Sequence, residues 1–107
     1  ELYNIDTEFT CNLKDSGDGK DHFALFTVGF SINTESEVYN KGEGVTNLDN
    51  KKTIIKDQIN SIVSNYTMEE FKADGNYAVK QEILKVMQGL FGSDFIVGVS
   101  FPSVNAQ

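Results

Sequence analysis

The chain of 107 residues contains no arginine and no tryptophan. Its nine basic residues are therefore all lysines, and 16 acidic residues bring the formal net charge to −7. Arginine is the side chain that pairs best with phosphates and base edges, and phosphate neutralisation supplies much of the affinity for nucleic acid. The composition therefore argues against a nucleic-acid-binding protein and against a domain held on anionic lipid.

Cysteine, histidine and proline each occur once. Cys11 cannot form a disulfide within the chain, and its place in an alternating pattern predicts a small buried side chain rather than a nucleophile. His22 has no cysteine, histidine or serine partner at a recognisable spacing, so we expect a surface residue rather than a catalytic base. Metal-ligand spacings, phosphate-binding loops and nucleophile elbows are also absent. The sequence predicts no enzyme, no cofactor and no metal site.

Long apolar runs are missing as well. No stretch approaches the roughly 18 apolar residues that a membrane span requires. Hydrophobic residues make up 39% of the chain and charged residues 23%, which are values of a globular domain. We expect one domain over residues 1–107. Because the chain begins at Glu1 rather than at methionine, we also expect an upstream segment.

Two alternating patterns predict an antiparallel β-hairpin. Residues 9–13 alternate apolar and polar side chains, as in a half-buried strand. The segment 22–32 is apolar on both faces near its start, which predicts a central strand. The segment 15–21 between them is rich in carboxylates, but Gly17, Gly19 and Lys20 break the alternating ligands of a calcium loop. A hairpin turn that uses glycine at positive φ is therefore predicted instead.

An amphipathic helix over residues 54–67 is the strongest signal in the chain. Its apolar side chains recur at the spacing that places them on one helical face: Ile55, Ile59, Ile62, Val63 and Tyr66. Thr67 and Glu70 match a capping box, in which each side chain bonds the other residue's backbone amide. The pattern predicts that one helix ends where the next begins.

The second helix is predicted after a turn at Asp74 and Gly75, with an apolar stripe from Val79 to Leu90 and Gly92 as its stop signal. Residues 95–101, ending at Phe101, alternate as a third strand, and Pro102 predicts an edge or a bulge after it. The order β-β-α-α-β predicts an α+β fold. We expect a two-layer sandwich with two amphipathic helices on a small, mainly antiparallel sheet.

Residues 33–50 form a polar connector that is long for a loop. It is expected to include a short helical piece or a binding surface. Asn47, Asp49 or Asn50 is positioned to cap the following helix.

Taken together, several stretches resemble the extracytoplasmic domain of the FliL family of flagellar basal-body-associated proteins. They are the hairpin over 9–32, the helix IIKDQINSIVSNYTMEEF, Gly75 with EIL at 82–84, and the closing FPSVNAQ. Within the helix, the matching positions are Ile55, Asp57, Ile59, Ile62, Val63, Ser64 and Thr67, with Lys56 in a position where the family has arginine. The resemblance covers nearly the whole chain.

The resemblance implies a single-pass cell-membrane protein whose anchor precedes Glu1 and whose domain lies on the extracytoplasmic side. It implies a fold similar to stomatin and prohibitin, and self-association into a ring around stator units of the MotA and MotB type. Its expected role is to support stator engagement, torque and motility without catalysis. We predict partner contacts from the connector, through Glu35, Glu37, Tyr39 and Glu43, and from Lys56 and Asp57 on the helix. For Asp57, pairing with a nearby group or strand end is an equal alternative.

Two other classes of function remain open at this point. A free extracytoplasmic ligand-binding or inhibitor module would bind its ligand between the helices and the sheet. An enzyme would need an acid, base or nucleophile converging in one cleft, and the sequence offers none.

Overall fold

A computed structural model describes residues 2–42, 44–92 and 94–107. The elements of these described residues follow one another as two strands, four helices and two strands. They are β1 (Leu2–Asn12), β2 (Phe23–Ile32), α1 (Glu37–Asn40), α2 (Gly44–Asn50), α3 (Lys52–Val63), α4 (Met68–Phe91), β3 (Ile96–Ser100) and β4 (Val104–Ala106).

The long strand β2 lies at the centre of the sheet. It pairs antiparallel with β1 along one side and with both β3 and β4 along the other. The register with β1 shifts between Ile5 and Phe9, so the edge strand is irregular there. The predicted hairpin, the central position of the second strand and the antiparallel sheet are confirmed.

Helices cover one face of this sheet. On β2, alternate residues from Ala24 to Ile32 are buried, and the strands contribute them to a core shared with α3 and α4. Helix α3 contacts β1, whereas α4 contacts β3, so the two helices lie side by side. The predicted α+β sandwich of two layers is confirmed, and the similarity to stomatin and prohibitin stays a prediction.

Four phenylalanine rings join the two layers. The Phe26 ring lies 5.1 Å from that of Phe9, 5.9 Å from that of Phe71 and 4.9 Å from that of Phe101, measured between centroids. The rings of Phe71 and Phe101 are 6.0 Å apart. These separations lie in the range where aromatic pairs attract beyond simple burial. Phe101, where the sequence predicts the third strand to end, follows β3 directly and contacts α4 through Phe71.

Helix α3 confirms the predicted apolar stripe, because Ile55, Ile59, Ile62 and Val63 are all buried. Its predicted end at Thr67 is wrong, since the helix stops at Val63. The Ser64 hydroxyl and the Asn65 amide group both donate to the Ser61 carbonyl, and the amides of residues 65 and 66 bond carbonyls three residues back. These tighter bonds close the helix in a short turn before the next one begins.

The capping box at the start of α4 is confirmed. The Thr67 hydroxyl accepts a bond from the Glu70 amide at 3.2 Å, and the Glu70 carboxylate accepts one from the Thr67 amide at 2.9 Å. These bonds stabilise the charged carboxylate and hold the pKa of Glu70 below its ordinary value.

The turn predicted at Asp74 and Gly75 is confirmed as a break inside α4. Asp74, Gly75 and Asn76 all adopt positive φ, between 52° and 68°, and the helix resumes after them. The buried Asn76 side chain donates to the Phe71 carbonyl at 2.7 Å and satisfies a group that the interrupted helix leaves unpaired. Gly92, with φ of 97°, ends the helix as predicted.

The connector contains two helices, α1 and α2. The expected short helical piece is confirmed by α1, whereas a second helix was not predicted. The proposed caps are wrong, because Asn47, Asp49 and Asn50 themselves lie within α2, and Lys51 precedes α3 without a side-chain cap. A Cβ on Gly44 would lie 2.4 Å from the buried ring of Phe95, which explains why glycine begins α2.

The two ends of the chain are more regular than predicted. β1 begins at Leu2 rather than at residue 9, and Val104–Ala106 form a short fourth strand, β4. Phe95 precedes β3, and its side chain is fully buried. Between β3 and β4, Pro102 interrupts the edge as predicted, while the carbonyl of Ser103 still accepts a bond from the Thr27 amide.

Candidate interaction surfaces

The predicted connector contacts lie around α1. Glu35 and Glu37 are exposed, and Glu37 forms an ion pair with Lys41 at 3.0 Å on the same helix. Tyr39 is half-buried and packs against the core. Glu43 lies outside the described residues. The exposed members of this set are therefore acidic side chains next to a tyrosine that is fixed by packing.

The predicted helix contacts lie on α3. Asp57 is exposed and forms no ion pair or hydrogen bond with another described residue, so its charge faces solvent. Lys56 is half-buried beside it. Helix α2 contacts both α1 and α3, which places the connector and the helix residues along one continuous run of helices. Their role in partner binding stays a prediction.

A polar groove that the sequence did not predict lies between β1 and α3. It has a volume of about 320 Å³ and is lined by Thr10, Cys11, Asn12, Asn60, Ser61 and Ser64. The Cys11 thiol, buried as predicted, donates to the Asn60 side-chain oxygen. Burial raises the pKa of Cys11 to about 11, so the thiol is a weak nucleophile. Strand alternation alone does not reveal which strand forms the edge of the sheet, and so the groove could not be predicted.

The β1–β2 turn confirms the predicted use of glycine, since Gly17 and Gly19 both have positive φ. Asp15 and Asp18 accept bonds from amides two residues later, at 2.8 and 2.9 Å. Such bonds stabilise turns, in agreement with the predicted hairpin turn. The open pocket beside this turn, about 430 Å³ in volume, is lined mainly by its polar residues and by Leu13.

His22 lies next to this turn but is more buried than expected, with 12% of its side chain exposed. Its Nε2 lies 2.7 Å from the Asp18 carboxylate. The hydrogen bond raises the pKa of His22 and lowers that of Asp18, because it favours the charged form of each. The pair was missed because a four-residue separation across a glycine turn has no fixed geometry in sequence.

Reactive groups do not converge elsewhere in residues 2–42, 44–92 and 94–107. Among these residues, no three histidine, cysteine, aspartate or glutamate side chains are grouped as metal ligands. None of the helices in this part of the chain is both long and apolar enough to span a bilayer.

The fold and these surfaces define a small acidic α+β domain whose distinctive features are a polar groove and exposed charges on a two-layer sandwich. The family model for the flagellar basal body-associated protein FliL matches residues 2–107. The chain therefore belongs to the FliL family, and the resemblance drawn from the hairpin, the central helix and the final segment is confirmed. No curated protein sequence matches the chain.

Proposed function

We propose that this domain is a non-catalytic interaction module that associates with the stator units of the flagellar motor and supports torque. The observation that carries the proposal is the family match over residues 2–107, which associates the chain with the flagellar basal body. Stator units of the MotA and MotB type are the partners we propose, with self-association of the domain into a ring around them.

The charge distribution supports a role in contacts with other proteins. Glu37 and Asp57 are exposed on α1 and α3, Glu35 is exposed just before α1, and Lys41 pairs with Glu37. The excess of carboxylates belongs to the chain as a whole, whose net charge is −7. Exposed charges of one sign steer encounters with a complementary partner and increase the association rate more than the affinity. We therefore assign the first contact with the stator to the exposed carboxylates along these helices, with Glu37 and Asp57 as the positions to test.

The proposal also places the domain on the extracytoplasmic side of the cell membrane, held by a single upstream anchor. Recovery of the full reading frame tests this placement. We expect an apolar stretch of about 20 residues shortly before Glu1. A cleavable signal, or a reading frame without such a stretch, would contradict the anchored topology and favour a free ligand-binding module.

Photo-cross-linking in motile cells tests the contact itself. A photoreactive amino acid at Glu37 or Asp57 is expected to form cross-links with stator subunits. The same substitution at Asp15, an exposed acidic residue in the β1–β2 turn, is the matched control. Equal cross-linking from all three positions, or none from the helices, would contradict the proposed contact surface.

A further inference from the structure

The outer edge of β1 carries backbone groups that the described residues leave unpaired. Phe23 exchanges both of its backbone bonds with Gln107, which lies on the β4 side of β2. Its partner across the β1–β2 ladder, Asn12, therefore directs its own amide and carbonyl away from β2. Because this orientation alternates along a strand, Thr10 does the same.

Two residues beyond Asn12, the same edge is already paired within the chain. Lys14 is the next residue with outward-facing groups, and its amide donates to the Tyr66 carbonyl at 2.8 Å. Among the described residues, the outward groups of Thr10 and Asn12 have no such partner, and both residues are exposed. A strand edge of this kind is a template for one more strand.

Helix α3 lies beside the open edge and contacts β1. Cys11 bonds Asn60, and Lys14 bonds Tyr66, so the strand and the helix run side by side in the same direction. A strand added about 4.8 Å beyond β1 would therefore lie over the short polar side chains of Asn60, Ser61 and Ser64.

The charges around the groove indicate the chemistry of its occupant. Asp57 is exposed one helical turn before Ser61, on the same face of α3 as Ser61 and Ser64, and forms no ion pair with another described residue. At the opposite end, the positive charge of Lys14 acts on Glu70. An exposed carboxylate without an ion-pair partner among the described residues therefore flanks one end of the groove, which complements a cationic side chain.

We propose that the open edge of β1 at Thr10 and Asn12, with the polar flank of α3, docks an extended, lysine-bearing segment of a partner protein. That segment pairs with β1 as an additional strand. Its backbone supplies the hydrogen bonds, its small inward side chains lie over the serines of α3, and a lysine lies near Asp57. The proposal concerns the domain itself and does not depend on association with the stator.

Selection from a displayed library of random dodecapeptides tests the proposal for a partner of any identity. The 107-residue chain is used as bait, and the selected peptides are then synthesised for fluorescence anisotropy. We expect lysine-containing peptides without a central proline. Their binding should slow hydrogen exchange at the amides of Thr10 and Asn12.

Two substitutions at one position separate backbone pairing from side-chain contact. Asn12→Pro removes the outward amide without removing a bond that the fold uses, and should weaken peptide binding by about tenfold or more. Asn12→Ala keeps the amide and should change the affinity by less than about threefold. Circular dichroism and thermal unfolding establish that both variants fold.

Ser61→Trp provides a second test. It leaves β1 unchanged and fills the groove from an exposed position on α3. It should also abolish binding. The proposal would be overturned by selected peptides that bind Asn12→Pro or Ser61→Trp as tightly as the original chain. Failure to select any peptide, or sedimentation showing that a second copy of the chain occupies this edge, would likewise overturn it.

Discussion

The four-ring cluster makes a quantitative prediction about how the two layers are held together. Phe26 is fully buried and contacts the other three rings, so Phe26→Leu removes three aromatic contacts while it keeps an apolar side chain. Each such contact contributes about 0.5–1.5 kcal/mol beyond burial. We expect a loss of about 2 kcal/mol in the free energy of unfolding.

This loss is large enough to measure by urea unfolding followed by far-ultraviolet circular dichroism. With an unfolding entropy of about 2.1 cal/mol/K per residue, a chain of this length should lose about 9 °C in Tm. The dependence on urea should be unchanged, because the folded and unfolded surfaces remain similar. Leu2→Ala is the control, since Leu2 is 61% exposed and should contribute less than about 0.5 kcal/mol.

A double-mutant cycle distinguishes ring contact from general loss of packing. Phe26→Leu combined with Phe101→Leu should show a coupling of about 0.5–1.5 kcal/mol. Phe26→Leu combined with Leu2→Ala should be additive within about 0.5 kcal/mol, because Leu2 pairs opposite Ser31, about 17 Å along β2 from Phe26. A coupling near zero for the two phenylalanines would refute the proposed role of the cluster.

Three further predictions concern local geometry, and a fourth concerns the buried thiol. Thr67→Ala should lower the free energy of unfolding by about 1 kcal/mol in chemical denaturation, and an unchanged value would contradict the capping role. The folded state lowers the pKa of Glu70, so the ionised carboxylate should make the original chain more stable than Glu70→Gln above about pH 4.3. This difference in stability should disappear as the pH falls through the folded-state pKa. A difference in Tm that does not change with pH would contradict the prediction. Gly44→Ala should cost about 1–3 kcal/mol through its clash with Phe95, whereas the open position Gly89→Ala should not destabilise. Cys11, with a pKa of about 11, should react with iodoacetamide at pH 8 far more slowly than free cysteine, and a rate near that of the free thiol would refute its burial.

The sequence predicted the elements whose signals are local. The stripe of α3, the capping box at Thr67 and the stop at Gly92 each depend on residues within one or two helical turns. The central position of β2 was also predictable, because apolar side chains on both faces at its start indicate neighbours on both sides. These features specify the two layers and the face that forms the core.

The remaining features depend on contacts between residues far apart in the chain. Strand β4 forms because residues 104–106 pair with residues 24–26, and β1 extends to Leu2 because it pairs with Ser31. Helix α2 begins against Phe95, about 50 residues later. A single sequence without regular alternation at its ends gives no local signal for such pairings.

The candidate site was predictable only in part for the same reason. Exposed acidic residues on the connector and on α3 follow from a polar, amphipathic pattern. The groove depends instead on which strand lies at the edge and on the alignment of Cys11 with Asn60, which is set by tertiary packing. The direction in which a backbone amide or carbonyl points does not depend on the type of residue. A pattern of side chains therefore could not reveal which backbone groups face outward.

The most direct test of the proposed motor function is a measurement of torque in single cells. The gene is deleted, and rotation of beads attached to flagella is recorded under high load, with a strain complemented by the intact gene as control. We expect lower torque with fewer speed steps, which report engaged stator units, and recovery on complementation. Full torque with the normal number of steps in the deletion strain would contradict the proposal that this domain supports the stator.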